Sequence, residues 1–214
     1  MSYDAQKKFF ETAYRTGTDI WTNKFYQSKI LSYISKLKDQ SIVLDLGTGR
    51  GRFPFTMAEM GMKVIGVDYI TELVKINNQE VKAKGLEGKV RFIEGDVFDI
   101  PIADETIDAV TDFGLLQHLY KEDWQKYGGE ISRVLKTNGY VLIVSLSKET
   151  PKFYDFSPKD SADGDIDKYG AHYHFFTEEE ILKIFGNGFE KVDSEVFFPP
   201  KESEGFLITL LQKN

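Results

Sequence analysis

Residues 42–53, IVLDLGTGRGRF, run from an apolar stretch through Asp45 into three glycines, Gly47, Gly49 and Gly51, set two residues apart. A short apolar run that ends in glycine reads as a buried strand. Glycines packed this densely behind a strand let the backbone come close to a ligand. Spacing decides which ligand. A phosphate-cradling loop needs G-x-x-x-x-G-K-[ST], because the Lys and the hydroxyl must reach phosphate and magnesium, and no Lys-Ser or Lys-Thr pair follows Gly47. The dinucleotide fingerprint G-x-G-x-x-G places its third glycine where this chain has Arg52, one residue beyond Gly51. A nicotinamide-dependent oxidoreductase is thus a partial match.

Outward from this stretch the pattern alternates. KVIGVD (63–68), KVRFIEGD (89–96), TIDAVTDFG (106–114) and GYVLIVSLS (139–147) read as strands. Helices are predicted between them, from about Arg50 to Met60, from Ile70 to a stop at Gly85, and from Lys121 to Lys136, with Trp124, Tyr127, Ile131 and Leu135 on one face. Gly128 and Gly129 should weaken the last of these by ~1 kcal/mol each. Residues 1–39 read as two helices, the second carrying Trp21, Phe25, Tyr26, Ile30, Tyr33, Ile34 and Leu37 at helical spacing. From Lys148 to Phe176 the chain has no clear period, which predicts a long functional loop or lid. Thr177 and Glu180 form a capping-box pattern at the start of a last helix. FEKVDSEVFF (189–198) and EGFLITLLQK (204–213) follow with only a turn between them, so they should pair antiparallel at one edge. The expected fold class is α/β: a Rossmann-like, doubly wound, seven-stranded and mostly parallel sheet with a C-terminal antiparallel hairpin and helices on both faces.

Composition bounds the function. At 214 residues, 41% apolar and 29% charged, the chain suits one soluble domain, 1–214, with 1–39 covering the site and 147–176 as a substrate lid. There is no cysteine, which removes disulfides, thiolate zinc sites and thiol nucleophiles and leans towards a reducing compartment. No signal-type core and no stretch near ~20 apolar residues is present, so no membrane partner and a cytoplasmic location are expected. The net charge of −7 and the scattered lysines argue against a nucleic-acid partner. Oligomeric state is not legible.

The remaining pattern is strand, acid, one apolar residue, then G-x-G-x-G, and LDLGTGRG fits it throughout. This resembles motif I of the class I S-adenosylmethionine-dependent methyltransferases. The resemblance implies S-adenosylmethionine as cofactor, with Gly47, Thr48, Gly49 and Gly51 admitting its methionyl tail and Asp45 near its ammonium. Asp68, at the tip of the second strand, can accept both ribose hydroxyls, the same logic as in dinucleotide folds; capping the next helix is the alternative. Asp96 and Val97 stand where the family receives the adenine amino group, and Asp96 could otherwise be a loop acid. Tyr69 and Ile70 would sandwich adenine or belong to the core. AVTDFGLLQHL, with Asp112 and Phe113, resembles the motif IV region that passes under the methionyl sulfur, and VLKTNGYVLIV the turn before the fifth strand.

Methyl transfer from a sulfonium is an in-line displacement, and a base is needed only if the acceptor must lose a proton. Candidate catalytic groups are Asp112, His172 and His174, with backbone and packing roles as alternatives; His118 reads as packed or capping. No third ligand accompanies His172 and His174, so no metal is expected. Without cysteine, C5 methylation of pyrimidines is excluded, and TDFGLL lacks the [DN]-P-P-[FYW] of exocyclic-amine methyltransferases. The expected acceptor is a small molecule methylated on O, N or S, in a pocket walled by Tyr14, Trp21, Tyr154 and Tyr173. A protein acceptor, or a non-catalytic protein that binds S-adenosylmethionine, are the other readings.

Overall fold

The computed structural model describes residues 2–19, 27–37, 41–168, 170–200 and 203–214; Trp21, Phe25 and Tyr26 lie outside them. Strand β1 (Ile42–Leu46) is the centre of the parallel half, pairing with β2 (Lys63–Asp68) and β4 (Ile107–Phe113). β3 (Val90–Glu94) extends this half beyond β2, and β5 (Leu135–Leu146) extends it beyond β4. β8 (Phe189–Phe197) and β9 (Phe206–Lys213) complete the sheet, in the order β3-β2-β1-β4-β5-β9-β8, with β9 antiparallel to both neighbours. The predicted seven-stranded sheet and its terminal hairpin are therefore present.

Alternation along the strands sorts side chains to two faces. Leu44 and Leu46 of β1, Val110 of β4 and Ile143 of β5 join a core with Tyr127 and Ile131 of α5 (Trp124–Val134) and Ile181 and Ile184 of α6 (Glu178–Phe185). Val43, Ala109 and Leu142 face the other way, against Ile34 of α2 (Gln27–Ile34) and Phe53 and Met57 of α3 (Arg52–Glu59). Helix α1 (Tyr3–Thr16) is capped by Ser2, whose hydroxyl accepts from the Ala5 N–H, and by Gly17 in the left-handed region at φ 68°. Helix α4 (Thr71–Ala83) ends before Gly85, and Thr177 with Glu180 makes the predicted capping box of α6.

Two expectations are corrected. The helix predicted over 121–136 is a 3-10 turn at Lys121–Asp123 followed by α5, which stops at Val134. Leu135 is extended and opens β5, paired with Ile107, so its apolar side chain follows strand rather than helix periodicity. The stretch 148–176, expected as an aperiodic loop, contains regular structure. It holds a hairpin of β6 (Asp165–Lys168) and β7 (Ala171–His174), and all four β7 residues are buried. Strands of four residues flanked by Asp and Gly are too short to declare a period of two.

Candidate functional site

The C-terminal ends of parallel strands leave a crevice where their loops diverge. Here the loops after β1 to β4, together with α1, enclose a cavity of about 490 Å³. Tyr3, Lys7, Phe10 and Tyr14 line it from α1 at steps of three or four residues, one face of a helix.

One end of the cavity is polar. Gly47, Gly49 and Gly51 all take positive φ, at 63°, 53° and 70°. At Gly49 a Cβ would also lie 2.5 Å from the Tyr14 hydroxyl oxygen, so Tyr14 would have to shift to admit it. The loop is clamped from two directions. The Gly49 N–H donates to Asp68 Oδ2 at 2.8 Å, and Asn77 of α4 donates through Nδ2 to the Gly49 carbonyl at 2.7 Å. Asp68 Oδ1 accepts from the Ile70 N–H at 3.0 Å. Burial raises the Asp68 carboxyl above its ordinary range, against the pull of these N–H groups and of Lys7. Each of its oxygens still has a second lone pair. Tyr69, Ile70, Val97 and the exposed Asp96 continue this end, with Asp96 Oδ1 accepting from the Phe98 N–H at 2.9 Å.

The other end is carbon-rich, with Phe10, Phe113, Phe153, Tyr173 and Phe206 on its walls. Of the predicted pocket aromatics, Tyr14 and Tyr173 line the cavity. Tyr154 does not; it is 55% exposed. Trp21 lies outside the described residues.

Several predicted site residues sit behind the cavity rather than in it. Asp45 is buried under the loop, accepting from Thr111 Oγ1 at 2.7 Å, and burial pushes its carboxyl up to about 7. Thr48, Gly49 and Gly51 shape the turn without lining the cavity. Asp112 points into the α5 side of the sheet. Its carboxylate accepts from the Leu115 N–H at 2.7 Å, the Leu116 N–H at 3.0 Å and the Tyr127 hydroxyl at 2.6 Å, and burial raises it to about 6. Its neighbour Phe113 turns the opposite way, into the cavity and onto Phe53, with ring centroids 3.9 Å apart. His172 and His174 face the acids of β6. Nδ1 of His172 lies 2.7 Å from Asp167 Oδ1, and Nδ1 of His174 lies 2.5 Å from Asp165 Oδ1. Tyr173 between them is the β7 residue that reaches the cavity. Among the described residues no group of three or more potential metal ligands comes together.

The imidazole on the cavity wall is that of His118. Its ring meets Phe10 and Tyr173 edge to face, each at 5.0 Å between centroids. Its Nδ1 lies 2.7 Å from the carbonyl oxygen of His172. Burial lowers its basicity to about 4, so it is neutral at physiological pH. Gln6 ties α1 to the same place, donating to the His118 carbonyl at 3.2 Å and accepting from the His172 N–H at 3.1 Å. Sequence reasoning expected His118 to be packed or capping, and the ring is packed as expected; its place on the cavity wall was not legible because its partners lie far away in the chain. The spacing of Tyr3, Lys7, Phe10 and Tyr14 could have flagged α1 as a cavity wall.

A cleft at the strand tips, floored by a glycine turn and a strand-end acid, defines a nucleoside-binding Rossmann-like protein. The chain belongs to the class I S-adenosylmethionine-dependent methyltransferase family, a model of which, described as a methyltransferase domain, matches residues 37–187. It is 28% identical over 161 residues to the ubiquinone/menaquinone biosynthesis C-methyltransferase of Geotalea daltonii, covering 73% of this chain and 60% of that one. It is 30% identical over 121 residues to a protein-lysine N-methyltransferase of Saccharomyces cerevisiae, covering 51% of this chain and 53% of the relative. The chain therefore spans little more than half the length of these curated relatives. In fold it is similar to the 1,6-didemethyltoxoflavin-N1-methyltransferase of Burkholderia thailandensis, solved with 1,6-didemethyltoxoflavin and S-adenosylhomocysteine. The TM-score is 0.82 at 23% identity, with 99% of this chain and 88% of that one covered.

Proposed function

We propose that the protein transfers a methyl group from S-adenosylmethionine to a small, planar and largely apolar acceptor. The observation that carries this reading is the two-ended cavity, acid and bare backbone at one end, aromatic carbon at the other. The polar end fits the nucleoside. Asp68 has lone pairs for ribose hydroxyls, Asp96, Val97, Tyr69 and Ile70 form an adenine slot, and Gly47 offers backbone to the methionyl tail. When bound, S-adenosylmethionine supplies a methyl group already activated on a sulfonium. The chain's part is to align the acceptor and exclude water, with α1 as roof and Tyr173 and Phe153 as walls. In this reading Asp45 and Asp112 act as braces for the loops after β1 and β4.

The small-molecule acceptor is favoured over a protein side chain because α1 covers the aromatic end, where a peptide would need an open channel. A planar ring system suits that end, as do the quinone and toxoflavin named for the relatives. Among the described residues no helix is long and apolar enough to cross a membrane, and a cytoplasmic site of action agrees with the lack of cysteine. Calorimetric titration with S-adenosylmethionine, S-adenosylhomocysteine and NADH tests the reading. Micromolar binding of the two sulfur nucleosides, silence from NADH and loss of binding in Asp68→Ala are expected. Binding of NADH alone, or full affinity in Asp68→Ala, would sink it.

A further inference from the structure

The acceptor end of the cavity contains a neutral imidazole with one tautomer. A carbonyl oxygen can only accept, so the 2.7 Å contact with the His172 carbonyl puts the proton of His118 on Nδ1. Nε2 is left as a lone pair on the opposite edge of the ring. Its neighbour is Gln117 Nε2 at 3.4 Å. That amide is oriented by its own oxygen, which accepts from the Leu146 N–H at 2.9 Å, so the nitrogen side faces His118. A contact of 3.4 Å is long for a hydrogen bond and yields readily to a better donor. The cavity that His118 lines is also walled by Phe10, Phe153, Tyr173 and Leu146.

We propose that His118 Nε2 recognises and deprotonates the methyl acceptor, which must present an acidic ring N–H or phenolic O–H, and that this heteroatom is the atom methylated. This rests on the methyltransferase reading given above. The heteroatom–hydrogen bond breaks and its proton passes to Nε2. The electron pair left on the heteroatom forms the new bond to the methyl carbon, and the carbon–sulfur bond breaks with its pair on sulfur. One positive charge moves from sulfonium to imidazolium, so the cavity carries the same net charge before and after the step. The proton then leaves to solvent with product. The Nδ1–H bond to the backbone stabilises the imidazolium that forms and fixes the ring's orientation.

The test uses the full chain with 15N-labelled histidine, saturated with S-adenosylhomocysteine. The probes are lumazine for an acidic ring N–H, 8-hydroxyquinoline for a phenolic O–H, and 1,3-dimethyllumazine as a control lacking N–H. The His118 Nε2 resonance should sit at an acceptor-nitrogen shift and move with lumazine or hydroxyquinoline but not with the control. A protonated Nε2, or one unmoved by both donors, overturns the proposal. With S-adenosylmethionine instead, product methylated on N or O is expected; product on carbon, or none from either probe, overturns it. His118→Asn retains a donor near the Nδ1 position and lacks Nε2. It should bind S-adenosylhomocysteine within about twofold of wild type and lose about 100-fold or more in kcat; retained kcat overturns the proposal. Failure of wild type to bind S-adenosylhomocysteine at all would instead sink the methyltransferase reading.

Discussion

Arg50, inside the glycine turn, grips Asp19 with two donors, Nε to Oδ2 at 3.1 Å and Nη2 to Oδ1 at 2.7 Å. The same Nη2 reaches the Tyr14 carbonyl at 2.8 Å. The loop that floors the cavity is thus bolted to the end of the helix that roofs it, through a carboxylate only 3% exposed. Lysine offers a point charge and cannot reproduce this fork. Arg50→Lys should lose about 1–3 kcal/mol of the anchoring and weaken S-adenosylhomocysteine binding about tenfold, while circular dichroism stays unchanged. Calorimetry on the variant decides it, and unchanged affinity would mean that α1 seats itself without the fork.

Gly128 and Gly129 look interchangeable in sequence and should respond with opposite signs. A Cβ on Gly128 would stand 2.7 Å from the Ile184 carbonyl oxygen, because α5 and α6 touch there, whereas nothing lies within 4 Å of one on Gly129. Alanine improves helix propensity by ~1 kcal/mol at either site. At Gly128 that gain is outweighed by overpacking of about 1–3 kcal/mol. Urea unfolding should find Gly128→Ala destabilised and Gly129→Ala stabilised. Equal shifts would show that the two helices slide apart at little cost.

Asp45 titrates near 7 in the folded protein against an ordinary value of 3.8. Between those values the folded chain keeps a proton that the unfolded chain has released, so stability falls as pH rises through the window. Asp112, near 6, acts in the same direction. His118, lowered from 6.5 to about 4, opposes them, since there the unfolded chain takes up the proton first as pH falls. Asp45→Asn should therefore flatten the slope and gain on wild type at about pH 8 relative to about pH 5. Ligand-free urea melts at the two values measure this, and an undiminished slope would contradict it.

His174 is fully buried, with Nδ1 against Asp165 and Nε2 3.4 Å from Glu180 Oε1. Burial pushes Glu180 upward, yet the neighbouring His174 ring and hydrogen bonds from the Thr177 N–H and hydroxyl hold it down to about 2. Removing the ring brings two carboxylates together over a void. His174→Ala should cost about 2–4 kcal/mol of stability with S-adenosylhomocysteine affinity and turnover per folded molecule retained. A selective loss of kcat in a stable variant would return His174 to the chemistry.

The difference between His118 and the two β7 histidines shows where sequence reading stops. Ile42 to Arg52 announced strand, glycine turn and helix because each signal is local, and Asp68 followed from a strand tip at family spacing. Gly47, Asp68, Asp96 and Phe113 meet at one cavity because the topology forces those tips together. The pattern HYH at 172–174 advertised chemistry, but strand alternation sends both imidazoles to the side of β6, and only pairing with Asp165 and Asp167 reveals that. The tautomer of His118 depends on a carbonyl fifty-four residues away. No local pattern encodes a partner at that distance. Leu135 failed for a related reason: one apolar residue fits helix and strand periods equally, and pairing with Ile107 decides.

β9 is made after β5 and β8 yet lies between them, in register from Tyr140 with Gln212 to Leu146 with Phe206 on one side. During translation the parallel half can assemble as far as β5 while the strand that seals its edge is still within the ribosome. Until Lys213 emerges, the nascent chain exposes an unpaired, apolar edge at β5 and leaves β8 with nothing to pair against. The strand of the sheet that comes last in chain order is thus its keystone, so truncation before β9 should yield an aggregation-prone product rather than a smaller folded enzyme.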